Sequence, residues 1–289
     1  MEKTCIYRPI HTTDHWVGDG FFVRSLFTYH HGGEDLSPFL LLDYAEPKEF
    51  PPTKQKKGIG EHPHRGFETV TIAYDGEIAH RDSSGGGGCI ATGDVQWMTA
   101  GAGIVHEEFH SAAFAQQGGT MEMVQLWVNL PRKKKWTAPA YQSIAAQEIP
   151  TINLEGEKGW IRPIAGTYNN IPGPAKTHTP MNVWDLFLRS SESSTLTLPT
   201  GHTTIVAVLR GCVHCNSLDT PLNSKETALF SQDGSLITLQ STTDTRILIL
   251  TGEPLKEPIA GRGPFVMNTS KEIDQAFTDY YDGAMGHLS

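Results

Sequence analysis

The chain has 289 residues, of which 38% are hydrophobic, 19% charged and 9% aromatic, enough for one large core or two ordinary ones without staples. That composition excludes a collagen-like, wholly disordered or cystine-stapled protein, and no apolar stretch approaches the roughly 18–20 residues needed to span a bilayer. Lys plus Arg number 23 against 32 Asp plus Glu, a formal charge of −9, so no direct nucleic-acid partner and no membrane partner is expected.

The opening MEKTCIYRPIHTTDHW lacks a basic region followed by an apolar run, so no secretory leader is read and a cytoplasmic location is expected. The four cysteines, Cys5, Cys89, Cys212 and Cys215, are then expected as reduced thiols. FETVTIAY (67–74) reads as a strand, and Asp75-Gly76 after it signals a hairpin with EIAHRDSS returning. The run Gly85-Gly86-Gly87-Gly88 reads as a surface turn. DVQWM and MVQLWVNL are further strands, and the basic run Arg132-Lys133-Lys134-Lys135 that follows reads as a solvated turn or linker. NVWDLFLR, TTIVAVLRG, SLITLQ and RILILTG continue the pattern of short β-branched runs. Cys212-Val213-His214-Cys215 has CxxC spacing but no second ligand pair, so it reads as ordinary strand. KEIDQAFTDYYDGAMG is the best helix, with Thr269 or Ser270 as N-cap and Gly283 near its close.

Many short strands with glycine and proline punctuation predict an all-β sandwich or barrel. GIGEHPHRGFETVTIAYDGEI is weakly echoed by LPTGHTTIVAVLRGCV, each a His-containing turn leading into an apolar strand. Two copies of one β-domain, residues 1–135 and 136–289, account for the length. The second copy keeps one histidine, His202, where the first has two.

The chemistry concentrates between Gly60 and His110. Side chains alternate along an extended chain, so His62 and His64 share a face, and His106 and Glu108 share one on another strand. Pro63 favours the extended form at His62. Glu68 has matching parity and points inward if the chain stays extended, although Arg65-Gly66 can break that phase. Three neutral imidazoles and one carboxylate, with no thiolate, suit Fe(II), Mn(II), Ni(II), Cu(II) or Zn(II). Four protein ligands on a six-coordinate ion leave two positions open, which favours catalysis or sensing. His106-Glu107-Glu108-Phe109-His110 also spells the zinc-peptidase pattern H-E-x-x-H. That chemistry needs a helix, and the glycine-broken TAGAGIV ahead of it is poor helix material.

At these residues the sequence resembles the pirin family of the cupin superfamily: HPHRGFETV, DVQWMTAGAGIVHEE, QLWVNLP and the late GPFVMNT stand in the family's order and spacing. The resemblance spans nearly the whole chain. It implies two cupin (jelly-roll) β-barrels packed face to face, with a short C-terminal helix and a metal only in the N-terminal barrel. The implied metal is most often Fe(II), with Mn, Ni, Cu, Zn and Co as alternatives. Carried over, the family's ligands fall on His62, His64, His106 and Glu108, which leaves Glu68 to orient a histidine N–H from behind. Glu107 and His110 receive no role.

The resemblance implies two uses of such a site. One is a quercetin (flavonol) 2,3-dioxygenase, in which Glu108 takes the substrate's 3-hydroxyl proton beside dioxygen; Phe67, Trp97 and Met98 read first as plain barrel core and second as the lining of a pocket for a flat aromatic substrate. The other is an iron- or redox-sensing regulatory protein that docks on a transcription factor or metabolic enzyme.

Overall fold

In a computed structural model of the chain, which describes residues 1–9, 13–216 and 218–288, the β-rich reading holds throughout. The first half supplies strands β1 (Asp14–Val17), β2 (Phe21–Thr28), β3 (Phe39–Phe50), β4 (Gly58–His64), β5 (Phe67–Asp75), β6 (Glu77–Asp82), β7 (Gly87–Ala91), β8 (Val95–Thr99), β9 (Ile104–His110), β10 (Gly119–Asn129) and β11 (Ala140–Ile144). They form a seven-stranded sheet in the order β11-β8-β5-β10-β3-β2-β1 and a four-stranded sheet in the order β4-β9-β6-β7, all antiparallel. Phe21, Val23, Ala73, Ile78, Ile90 and Met123 pack together as apolar core in this barrel.

The expected hairpin at Asp75-Gly76 is corrected by this topology. β5 and β6 are not neighbours; the turn is a corner that carries the chain from the large sheet to the small one. Gly76 has φ +85°, and a Cβ there would lie 2.8 Å from Met121 Cε, so the corner needs glycine. β5 is buried almost end to end. A run without alternation names a core strand and leaves its partner open.

The second half repeats the plan. Its seven-stranded sheet runs Cys5–Tyr7, Glu226–Phe230, Thr203–Arg210, Thr245–Gly252, Met181–Leu188, Gly159–Ala165, Ile152–Asn153, and its four-stranded sheet contains Ser193–Thr197, Leu236–Ser241, Cys212–Cys215 and Leu222–Asn223. Trp184, Leu186, Val206, Val208, Leu239 and Ile249 fill its core. The echo noticed in sequence is thus architectural, β5 corresponding to Thr203–Arg210, third in each sheet. By position in the small sheets, β4 corresponds to Ser193–Thr197 and β9 to Leu236–Ser241, and neither counterpart carries a histidine or a carboxylate. The CxxC segment is strand, with Cys215 buried and both thiols free.

The spatial units differ from the consecutive division at 135/136. One comprises residues 13–25, 39–146 and 256–289; the other 1–12, 26–38 and 147–255. β11 pairs with β8 of the first barrel, and Cys5–Tyr7 completes a sheet of the second. The terminal helix, Ser270–Tyr281, belongs to the first unit, where Ile273, Ala276 and Met285 pack with Val105, Phe265 and Met267. Its apolar stripe needs a partner, and the residues around β9 provide one.

Thr269 is the N-cap: its Oγ1 accepts from Glu272 N at 3.3 Å, and Glu272 Oε2 reaches back to accept from Thr269 Oγ1 at 2.9 Å and from Asn268 N, one residue ahead of the cap, at 3.1 Å. Thr269→Ala is expected to cost about 1 kcal/mol in urea-unfolding stability. No helix among the described residues is long and apolar enough to cross a membrane.

Candidate metal centre

The four-stranded sheet presents a row of polar side chains to the barrel interior. Antiparallel register sets His106 opposite His62 on one side and Asp82 on the other, and sets Glu108 opposite His80. A bulge between His106 and Glu108 on the β4 side adjusts the strand. The donor atoms of His62, His64 and His106 lie within 4.8 Å of one another, and an overlapping set of His80, His106 and Glu108 meets the same limit. The three sequence-expected histidines therefore converge, whereas Glu108 is grouped with His80 and His106, and no such group among the described residues holds all four expected ligands. β9 is fully extended, so the helical H-E-x-x-H geometry is absent. Glu107 points to the opposite face, paired with Lys56 and Arg81, and His110 Nε2 contacts Gly20 O at 2.9 Å.

Burial keeps the rings neutral. Desolvation lowers the pKa of His62 and holds those of His64 and His106 well below the ordinary histidine value, with the neighbouring imidazoles adding to the effect for the latter two. Backbone carbonyls fix two of the rings: His62 Nδ1 donates to Gly60 O at 2.8 Å, and His64 Nδ1 to Pro264 O at 3.2 Å. Both Nδ1 atoms being donors, the Nε2 atoms carry the lone pairs. His106 Nε2 is fully buried and has no hydrogen-bond partner. A buried nitrogen without a partner, beside two neutral imidazoles, fits a divalent cation.

Glu68 is a correction. The phase breaks at Gly66 (φ +88°), where a Cβ would lie 2.0 Å from Val266 O. Arg65 locks the break, with Nε on Ala102 O at 2.6 Å and Nη1 on Asp279 Oδ2 at 2.6 Å. Beyond it, Phe67, Thr69 and Thr71 face the barrel interior, and Glu68 faces the other side of the sheet, where it accepts from Thr99 Oγ1 at 2.7 Å. Burial pushes its carboxyl up to about 7, against the pull of hydrogen bonds from Thr99 and Trp97. All three of Phe67, Trp97 and Met98 are buried, as the core reading expects; Trp97 shares that outward face, so only Phe67 and Met98 have interior parity, and Met98 packs with Ala100, Ile104 and Tyr141. Phe67 stands 5.0 Å from His64, centroid to centroid, and 4.3 Å from Trp127.

Sequence reasoning passed over His80, Asp82, Gln96, Trp127 and Tyr141. Gln96 Nε2 donates to Glu108 Oε1 at 2.8 Å, and Tyr141 OH donates to Gln96 Oε1 at 3.1 Å. Asp82 is held down at about 2: burial would raise it, but His80, Ser84 and the Gly86 N–H outweigh that by hydrogen bonding. His80 and Asp82 are i and i+2 on a strand that was recognised, in step with inward Ile78. The parity argument applied to His62 and His64 would have found them.

Comparison with known proteins follows the same outline. A family model described as Pirin matches residues 20–128, and one described as Pirin C-terminal cupin domain matches residues 183–286. A Pseudomonas aeruginosa protein named "Putative quercetin 2,3-dioxygenase" is 53% identical over 269 residues, 93% of each chain. Mouse Pirin is 36% identical over 258 residues, covering 88% of this chain and 84% of its own. A crystal structure of quercetin 2,3-dioxygenase from Acinetobacter baumannii superposes with a TM-score of 0.97 at 53% identity, over 100% of both chains.

Proposed function

The chain belongs to the pirin family, and from that premise we propose that it is a metal-dependent flavonol 2,3-dioxygenase of the quercetinase kind, holding one divalent transition ion, Fe(II) foremost, on His62, His64, His106 and Glu108. The observation that carries this reading is His106 Nε2, buried and unpartnered beside two histidines whose Nδ1 atoms are already bonded to backbone carbonyls. When bound, the ion supplies Lewis acidity and the dioxygen chemistry.

The chain's own residues do the rest. Glu108 takes the proton of the flavonol 3-hydroxyl, and the Gln96 amide on its Oε1 at 2.8 Å orients the carboxylate for that transfer. Half-buried Trp127, against Phe67 and 5.3 Å from His64, offers an aromatic wall for a flat ring system. The names of the relatives support the substrate class.

Iron-loaded protein is expected to consume quercetin with matching dioxygen uptake and carbon monoxide release, and His64→Ala to fall to background in an oxygen-electrode assay. Full turnover by that variant would sink the reading. Metal retained by the parent without turnover on any flavonol would instead move the function to metal-gated docking on a protein partner.

A further inference from the structure

We infer that Asp82 and His80 form a buried proton-ordering chain that fixes His106 as its Nδ1–H tautomer and turns the Nε2 lone pair toward His62 and His64. The inference rests on the metal-site half of the reading above and is independent of flavonol turnover.

Asp82 anchors the chain. Its Oδ1 accepts from Ser84 N at 2.8 Å, Ser84 Oγ at 2.6 Å and Gly86 N at 3.1 Å, and its Oδ2 lies 3.1 Å from His80 Nε2. A carboxylate gathering that many donors is an acceptor only, so His80 Nε2 carries the hydrogen and donates. In a neutral ring the other nitrogen, Nδ1, is then an acceptor.

Gln96 gives the same answer independently. Its carbonyl takes the Tyr141 hydroxyl and its NH2 faces Glu108, which fixes the amide's orientation. The same Nε2 is 3.4 Å from His80 Nδ1, and a donor facing that nitrogen again makes it an acceptor. Tyr141 stacks on the His80 ring at 5.0 Å and 16°, holding its plane.

His106 Nδ1 lies 3.3 Å from His80 Nδ1. Two lone pairs cannot face each other there, so His106 Nδ1 must carry the hydrogen. His106 Nε2 is thereby deprotonated, and it is the buried atom left without a partner. The opposite tautomer would set lone pair against lone pair at one nitrogen and bury an N–H without an acceptor at the other. His80 is a positioning residue: it acts on a bound ion through His106, and the carboxylate behind it makes that nitrogen a stronger donor to metal.

The test uses full-length metal-free protein labelled with 15N-histidine, where long-range proton–nitrogen spectra separate the two tautomers, followed by zinc affinity measured by chelator competition. His106 is expected to show a protonated Nδ1 and a bare Nε2. His80→Leu should give a tautomer mixture and about 10–100-fold weaker zinc binding, as should Asp82→Asn. His80→Gln, whose amide can accept from His106 and donate to Asp82, should restore the Nδ1–H signal and bring affinity within a few-fold of the parent. A protonated Nε2 in the parent would overturn the assignment even if a variant failed to fold. So would folded His80→Leu protein with unchanged spectrum and affinity. Neither readout involves quercetin, so failure of the dioxygenase reading would leave a distinct signature.

Discussion

His106→Ala is expected to abolish metal binding and, with it, quercetin-dependent dioxygen uptake. His106 is the one residue common to both clusters of donor atoms, and its strand lies between the strands that carry His62 and His64 on one side and His80 on the other. The metal-free fold loses the His106 Nδ1–His80 contact and gains a cavity, a cost partly offset because the side chain removed includes a buried nitrogen without a partner. Thermal unfolding separates the two effects. The parent should gain about 2.7 kcal/mol when an added divalent ion is present at 100 times its dissociation constant, whereas the variant should gain nothing. Elemental analysis near one ion per parent chain and near none per variant chain completes the measurement. A variant that keeps stoichiometric metal would remove His106 from the site.

The second large effect is expected at Lys135. Its Nζ donates to Gly66 O at 2.8 Å, Asn129 Oδ1 at 2.6 Å and Val266 O at 2.8 Å, and the residue is 1% exposed. Gly66 lies two residues past His64, and Val266 two past Pro264, whose carbonyl fixes the His64 ring. Lys135→Met should cost about 3–5 kcal/mol in urea unfolding near pH 7, since three buried acceptors lose their donor.

A pH signature accompanies it. Burial lowers the Lys135 pKa from 10.5 to about 7. The unfolded chain therefore holds this proton up to about 10.5, whereas the folded chain releases it near 7. Between those values the unfolded state binds more protons, so this residue makes parent stability rise with pH, by roughly 1 kcal/mol per unit. Lys135→Met should lack that slope, and an identical slope in both proteins would show that another group produces it.

Lys135 also marks where sequence reading stops. Four consecutive basic residues look like one solvated turn, and Arg132, Lys133 and Lys134 are exposed. The fourth is buried because carbonyls from segments 69 and 131 residues away converge on its amine. Local composition carries no trace of those acceptors. The histidine-bearing face of β4 and β9 was legible because alternation is a local rule, and Pro63 protected it. Glu68 obeyed the same rule with the opposite outcome, since Gly66 and the Arg65 clamp shift the phase before β5 begins. The Asp75-Gly76 corner was misread because a turn dipeptide specifies a reversal and says nothing about which sheet the chain enters next.

The carbonyl that sets the His64 ring comes from Pro264, 200 residues further along the chain. During synthesis at roughly 5–20 residues per second, that separation corresponds to about 10–40 s. For that interval a nascent chain already owns the clustered histidines but not the group that aims one of them, and Lys135 still lacks one of its three acceptors. The orientation of the His64 ring is thus completed only by the last part of the chain to be made.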